Sequence, residues 1–192
     1  MDRERSGVSA RQARPLPGIG RPSSAAAEQF SDDLRLGKGD FLEQRRRVAA
    51  LNMGATAAYT MVALYQFGLL RRLPEPPLPG VDAERVDASG EAYALLRTPD
   101  AALGLTSAGI TLVLTGMSGR RRHRDQPWAV LAAAAKGLGD AGMSVVLFAE
   151  QLTKHRRVCS WCTVAAACHL AAVPPLLTEA AAALRTLKRR TT

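Results

Sequence analysis

Between Arg47 and Arg71 the chain reads VAALNMGATAAYTMVALYQFGLL, residues 48–70, 23 positions without a charged side chain. Wound as an α-helix at 1.5 Å per residue, that stretch covers about 34 Å, enough to cross a hydrocarbon layer of about 30 Å. Arg45, Arg46 and Arg47 precede it and Arg71 and Arg72 follow it, so basic side chains mark both interfaces. Three further runs repeat the pattern. Residues 101–119 are uncharged and end in Arg120, Arg121, Arg122 and Arg124; residues 127–149 hold only Lys136 and Asp140; residues 158–178 hold His169 as their one ionisable group besides cysteine. The sequence therefore predicts an all-α, polytopic membrane protein, a bundle of four transmembrane helices over about 48–70, 101–119, 127–149 and 158–178. A soluble Ala-rich bundle is the competing reading, because segments such as AVLAAAAKGLGDAG are only weakly hydrophobic. Four helices apolar all round would, however, need more interior than 192 residues supply.

Outside the spans the chain is polar, which brings the mean hydropathy near zero. Residues 1–44 mix Gly, Pro, Ser, Ala and Arg without period and are expected to form a disordered basic cytoplasmic arm. No apolar core suited to a secretory signal lies before Val48, so the N-terminus is expected to be retained. Residues 45–187 form the membrane domain, residues 71–100 its outer loop, and 188–192 a short cytoplasmic tail. With both termini in the cytoplasm, the inner side collects Arg35, Lys38, Arg45–Arg47, Arg120–Arg122, Arg124, Arg185 and Lys188–Arg190. The outer side has fewer basic residues: Arg71, Arg72, Arg85, Arg97, Lys154, Arg156 and Arg157. That asymmetry favours a multi-pass protein of the cell membrane with both termini inside. The net charge of +9 then reflects topology and contact with anionic membrane lipids rather than nucleic-acid binding.

The fourth span opens with Cys159, Ser160, Trp161 and Cys162, at the expected outer face. Cysteines at i and i+3 in a first helical turn are neighbours on one face and within reach of a disulfide. A helix N-terminus, with Lys154, Arg156 and Arg157 upstream, favours a thiolate. Cys159 is thus expected to be the more acidic and more exposed thiol, with Cys162 one turn deeper. This placement suits two-electron exchange between a dithiol outside the membrane and a lipid-soluble acceptor such as a quinone. A Cys-x-x-Cys alone also fits half a metal site, with Cys168, His155 and His169 as further donors. A third reading is a non-catalytic anchor or assembly protein.

The segment CSWCTVAAACHLAAV after three predicted spans resembles the active-site helix of the vitamin K epoxide reductase family, in its bacterial branch. SGEAYALLRTPDAALGL resembles that family's passage from outer loop to second helix, with Pro99, Leu103 and Gly104 in its Pro-x-x-x-Leu-Gly pattern. The similarity extends over residues 45–185. It implies a quinone-linked thiol-disulfide oxidoreductase in which Cys162 reduces menaquinone or ubiquinone and Cys159 accepts electrons from outside. It further implies an extracytoplasmic thioredoxin-fold protein, or another dithiol, as the electron donor. Family members usually carry a relay pair of cysteines in the outer loop; residues 71–100 contain none. Ser89 is carried over as a polar contact near the site. Ala166 stands where the family often has a His or Tyr, so a donor to the quinone must come from elsewhere.

His169 is the candidate for that donor, two turns beyond Cys162, with an interhelical structural role as its rival. Trp161 is expected as an interfacial anchor or a lid. Cys168 is expected to pack. Lys136 and Asp140, four apart, are expected to pair inside the bundle, with Gly137, Gly139 and Gly142 permitting close helix approach. Pro174 and Pro175 should kink or unwind the fourth helix. Pro74, Pro76, Pro77 and Pro79 should stiffen the loop into a strap across the bundle, followed by a short helix that turns Tyr93 and Leu96 down onto the site.

Overall fold

A computed structural model describes residues 24–191; residues 1–23 of the expected basic arm lie outside the described residues. Among the described residues the regular elements are all helices: α1 (Ala25–Leu36), α2 (Leu42–Gln66), α3 (Ala83–Asp87), α4 (Asp100–Gly116), α5 (Arg122–Asp125), α6 (Pro127–Glu150) and α7 (Ser160–Thr191). Two 3-10 turns, Gly90–Tyr93 and Leu95–Arg97, lie between α3 and α4. A π-turn, Gln151–His155, ends α6. The long helices close into a ring: α2 packs on α4 and α7, and α6 packs on the same two.

Small residues make the ring tight. Ala55, Ala58 and Ala165 meet at its centre, and Val48, Val130, Ala133, Ala134, Ala172 and Leu176 fill one end. A Cβ on Gly137 would meet the end of the Leu176 side chain, which would have to turn aside; Gly139 and Gly142 face open space. Larger apolar side chains, among them Ile110, Val113, Leu138, Val145, Val146 and Leu170, point outward. Water would penalise that inverted pattern, and lipid does not. Three helical stretches, Leu42–Gln66, Pro127–His155 and Ser160–Arg190, are long and apolar enough to cross a membrane, and Asp100–Gly116 is a shorter apolar helix. The fold is a helical membrane bundle.

The ends of the elements differ from the expected boundaries for identifiable reasons. Residues 25–36, expected in an unstructured arm, form α1, whose start is capped by the Ser24 hydroxyl and whose end is held by Arg46, bonded to the Leu34 and Gly37 carbonyls. Helix α2 begins two turns before Val48 because Arg45 is part of the core. Its guanidinium is buried and donates to the carbonyls of Thr115, Gly116, Met117, Ser118 and Gly119, the group left unpaired where α4 ends. Arg122 is likewise internal, 1% exposed, paired with Glu179 of α7 at 2.6 Å and bonded to the Leu114 and Thr115 carbonyls. Two arginines expected only as topology markers therefore lock α2, α4 and α7 together. Helix α7 continues through Pro174 and Pro175 instead of unwinding.

At the opposite end the proline-rich segment does form an extended strap. Val81 and Val158 pair in a single parallel bridge, with Asp82 N–H donating to the Val158 carbonyl and Val158 N–H to Gly80. Gln66, at the end of α2, donates to Asp100 Oδ1 at 2.6 Å and to the Asp87 carbonyl, and accepts from Ala101 N–H. It ties the cap and the start of α4 to the end of α2.

Candidate functional site

The first turn of α7 is organised by side chains. Glu75 on the strap accepts from both Ser160 N–H and Ser160 Oγ at 2.8 Å, and its other oxygen accepts from Ala83 N–H. Gln151 Oε1 accepts from Cys159 N–H at 3.0 Å. Cys159, just ahead of the helix, acts as its cap: the sulfur accepts the Cys162 N–H at 3.1 Å. The expected neighbourhood of the two sulfurs at the helix mouth is thus present, with a backbone N–H aimed at Cys159. Cys159, Cys162 and Cys168 are all free thiols.

Two expectations about Cys159 are corrected. The thiol is fully buried, 0% exposed, among Val62, Leu73, Ala83, Val86 and Ala101, because the strap and α3 close over it. The partly exposed member of the pair is Cys162. Nor do the upstream basic residues supply the local field: Lys154 pairs with Glu150 and Glu91, and Arg156 and Arg157 are exposed. The nearest charged group is the carboxyl of Asp87, whose Oδ1 lies 3.4 Å from Cys162 Sγ. Burial pushes this carboxyl up to about 6, against hydrogen bonds from the two thiols that pull it down. Its other oxygen, Oδ2, is buried without a hydrogen-bond partner among the described residues. Asp87, Cys159 and Cys162 bring their ligating atoms within 4.8 Å of one another. The donor set considered from sequence is not gathered: Cys168 lies against Gly54 and His155 against Glu91.

Beside Cys162 a cavity of about 300 Å³ opens between α2, α4, α6 and α7. Ser89 and His169 line it, as does Ala166. Trp161 does not; its indole N–H donates to the Pro74 carbonyl at 2.9 Å, and its ring packs between the cap and the central alanines. His169 is buried, with Nε2 3.3 Å from the Tyr59 hydroxyl and the two rings 5.9 Å apart. The remaining wall combines apolar side chains, including Val62, Leu103, Met143, Leu147 and Phe148, with acidic ones at Asp87, Glu91, Asp100 and Glu150. Lys136 and Asp140 do pair, and Asp140 also accepts from Ser107 and Thr111 at 2.7 and 2.8 Å. Asp140 faces the same cavity. The cap does not turn Leu96 inward: it is 80% exposed, while Tyr93 donates to the Gln66 carbonyl.

Asp87, Tyr59 and Glu75 were not singled out from the sequence. Tyr59 had a weak signal, as one of several polar side chains (Asn52, Thr56, Thr60, Tyr65, Gln66) in an uncharged span where polar groups are retained with partners. Gly104 supports it from the facing helix. A Cβ there would stand 2.8 Å from the Tyr59 ring, so glycine at this position is what lets the ring lie against α4. Asp87 and Glu75 sit in a polar loop, and only the fold over α7 distinguishes them from its other acids.

A ring of membrane helices that sets one buried and one partly exposed thiol beside a cavity between the helices places the protein in a class, the multi-pass membrane proteins. The sequence profile of the vitamin K epoxide reductase family matches residues 47–175, about two-thirds of the chain, and the protein belongs to that family, which makes it an oxidoreductase. No curated protein and no solved structure matches it significantly.

Proposed function

We propose that this protein is a quinone-linked thiol-disulfide oxidoreductase, with Cys159 and Cys162 as its redox pair and the adjoining cavity as the acceptor site. The observation that carries the reading is the position of Cys162, which shares a wall with the apolar cavity and a hydrogen bond with Cys159. The cavity has room for a quinone ring: it falls at the lower end of the usual size for small-molecule sites, offers apolar walls at Val62, Leu103, Met143, Leu147 and Phe148, and has Tyr59, Ser89 and His169 among its polar groups, with the carboxyls of Asp87, Asp100 and Asp140 also on its wall. A bound quinone would accept two electrons and two protons. The chain's own part is to supply them from two thiols, which then join as a disulfide.

Asp87 has the geometry to take the Cys162 proton as the S–S bond forms, and the helix-start N–H of Cys162 stabilises charge on Cys159. Tyr59 and His169 would orient an acceptor oxygen, supplying the donor that Ala166 cannot. Since residues 71–100 lack cysteine, an outside dithiol must exchange with Cys159 directly. The burial of Cys159 makes parting of the strap at Val81 and Val158 a condition of that exchange. We place the strap on the extracytoplasmic side and both termini in the cytoplasm, on the charge asymmetry of the loops.

Thiol trapping in membranes tests the proposal. Added menaquinone or ubiquinone should protect Cys159 and Cys162 from alkylation in protein pre-reduced with a dithiol, and leave Cys168 reactive. Persistence of both free thiols at saturating quinone would defeat the enzyme reading.

A further inference from the structure

At the end of the bundle away from the thiols, a second cleft of about 800 Å³ lies between the start of α2, α5 and the last turns of α7. Arg124, Arg185, Arg189 and Arg190 line it, opposed by the single carboxylate of Asp40. Arg185 and Arg189 are one turn apart on the same exposed helix face. The wall also holds His123, 4% exposed and edge-on to Phe41. Arg124 Nε donates to His123 Nε2 at 3.2 Å, which leaves Nδ1 as the nitrogen that carries hydrogen. That N–H is buried and has no acceptor among the described residues. The buried His123 N–H is closed to a ligand, but four guanidiniums line one cleft, of which Arg124 already meets Asp40 and His123 and Arg190 the Arg124 carbonyl, and their excess charge calls for an anion with several oxygens.

From this we infer that the cleft is a binding site for the phosphate of an anionic phospholipid headgroup. Its level in the membrane selects a lipid over a free anion. The uncharged run of α7 ends at Thr178, and Arg185 lies about 10 Å further along the axis, the depth of a headgroup layer. Below Arg185 the same helix face continues as Thr178, Pro174 and Ala171, exposed and uncharged, on which acyl chains can lie. Basic pockets between membrane helices have this lipid-binding character in general.

The test is native mass spectrometry of the full chain in detergent with phosphatidylglycerol or phosphatidylcholine added. Phosphatidylglycerol should bind at least about tenfold more tightly, and R185Q/R189Q should lose about thirtyfold of that affinity. R120Q/R121Q removes equal charge at the same end, outside the cleft, and should retain the preference. Equal binding of the two lipids, an equal loss in R120Q/R121Q, or displacement of phosphatidylglycerol by millimolar inorganic phosphate would each overturn the lipid site. Both arginines are exposed, so the lipid-free double variant should unfold at the wild-type temperature. A lowered midpoint with lipid preference intact would likewise count against it.

Discussion

At Asp87, burial strips water from a carboxylate that sits beside two thiols, and the carboxyl rises to about 6. Its folded value lies above its ordinary one, so its contribution to stability is full below about pH 4 and is lost as pH rises through about 6. D87N should remove that dependence. Thermal unfolding of wild type in detergent should therefore fall relative to D87N between pH 4 and 7, by on the order of 2–3 kcal/mol, and a rise would contradict the burial argument. The same carboxyl gives the chemistry its pH profile. Thiol oxidation by quinone should accelerate as pH passes through about 6 in wild type, because only the ionised form accepts the Cys162 proton, and this limb should flatten in D87N. C168S should leave the rate unchanged, since that sulfur only packs against Gly54. The cysteine pair was legible from its spacing and its place at a helix start. Asp87 was not, because nothing in its loop marks one acid as the one that folds over the thiols.

The strap and the first turn of α7 form one unit, joined by Glu75 and by the Val81 and Val158 pairing. In E75Q the amide cannot accept from Ala83 N–H and Ser160 N–H together with the strength of a carboxylate, a loss of about 1.5–3 kcal/mol for hydrogen bonds to a charged group. Maleimide labelling of Cys159 should become about tenfold faster if that energy holds the strap shut. An unchanged rate would mean that Glu75 is incidental to access. Helix α4 offers an independent test at Gly104. G104A should push the Tyr59 ring off α4 and into the cavity, raising KM for quinone more than it lowers kcat. The proline strap and the four apolar helices were readable as patterns. The burial of Cys159 beneath them was not, because a loop's landing place depends on contacts across the bundle and not on its own residues.

For the molecule as a whole, the two ends do different work: one closes over the thiols, the other is locked by Arg45 and by the Arg122–Glu179 pair. Breaking that pair leaves a buried charge, so E179Q should destabilise the bundle by about 3–5 kcal/mol, read as a lowered unfolding temperature, while R122M/E179L should be much milder. The length and charge of the apolar runs were enough to read the bundle, because a membrane imposes a span on every helix that crosses it. The same reading took Arg45 and Arg122 for surface markers, since composition does not show which arginines close the open end of a neighbouring helix. The central claim is that the pair passes two electrons to an acceptor held in the bundle. Anaerobic single-turnover reduction of quinone by pre-reduced C168S protein tests it most directly. One quinone should be reduced per chain as one disulfide forms, with none in C159S/C168S or C162S/C168S. Quinone reduction that survives the loss of either sulfur, or no reduction by the intact pair, would contradict it.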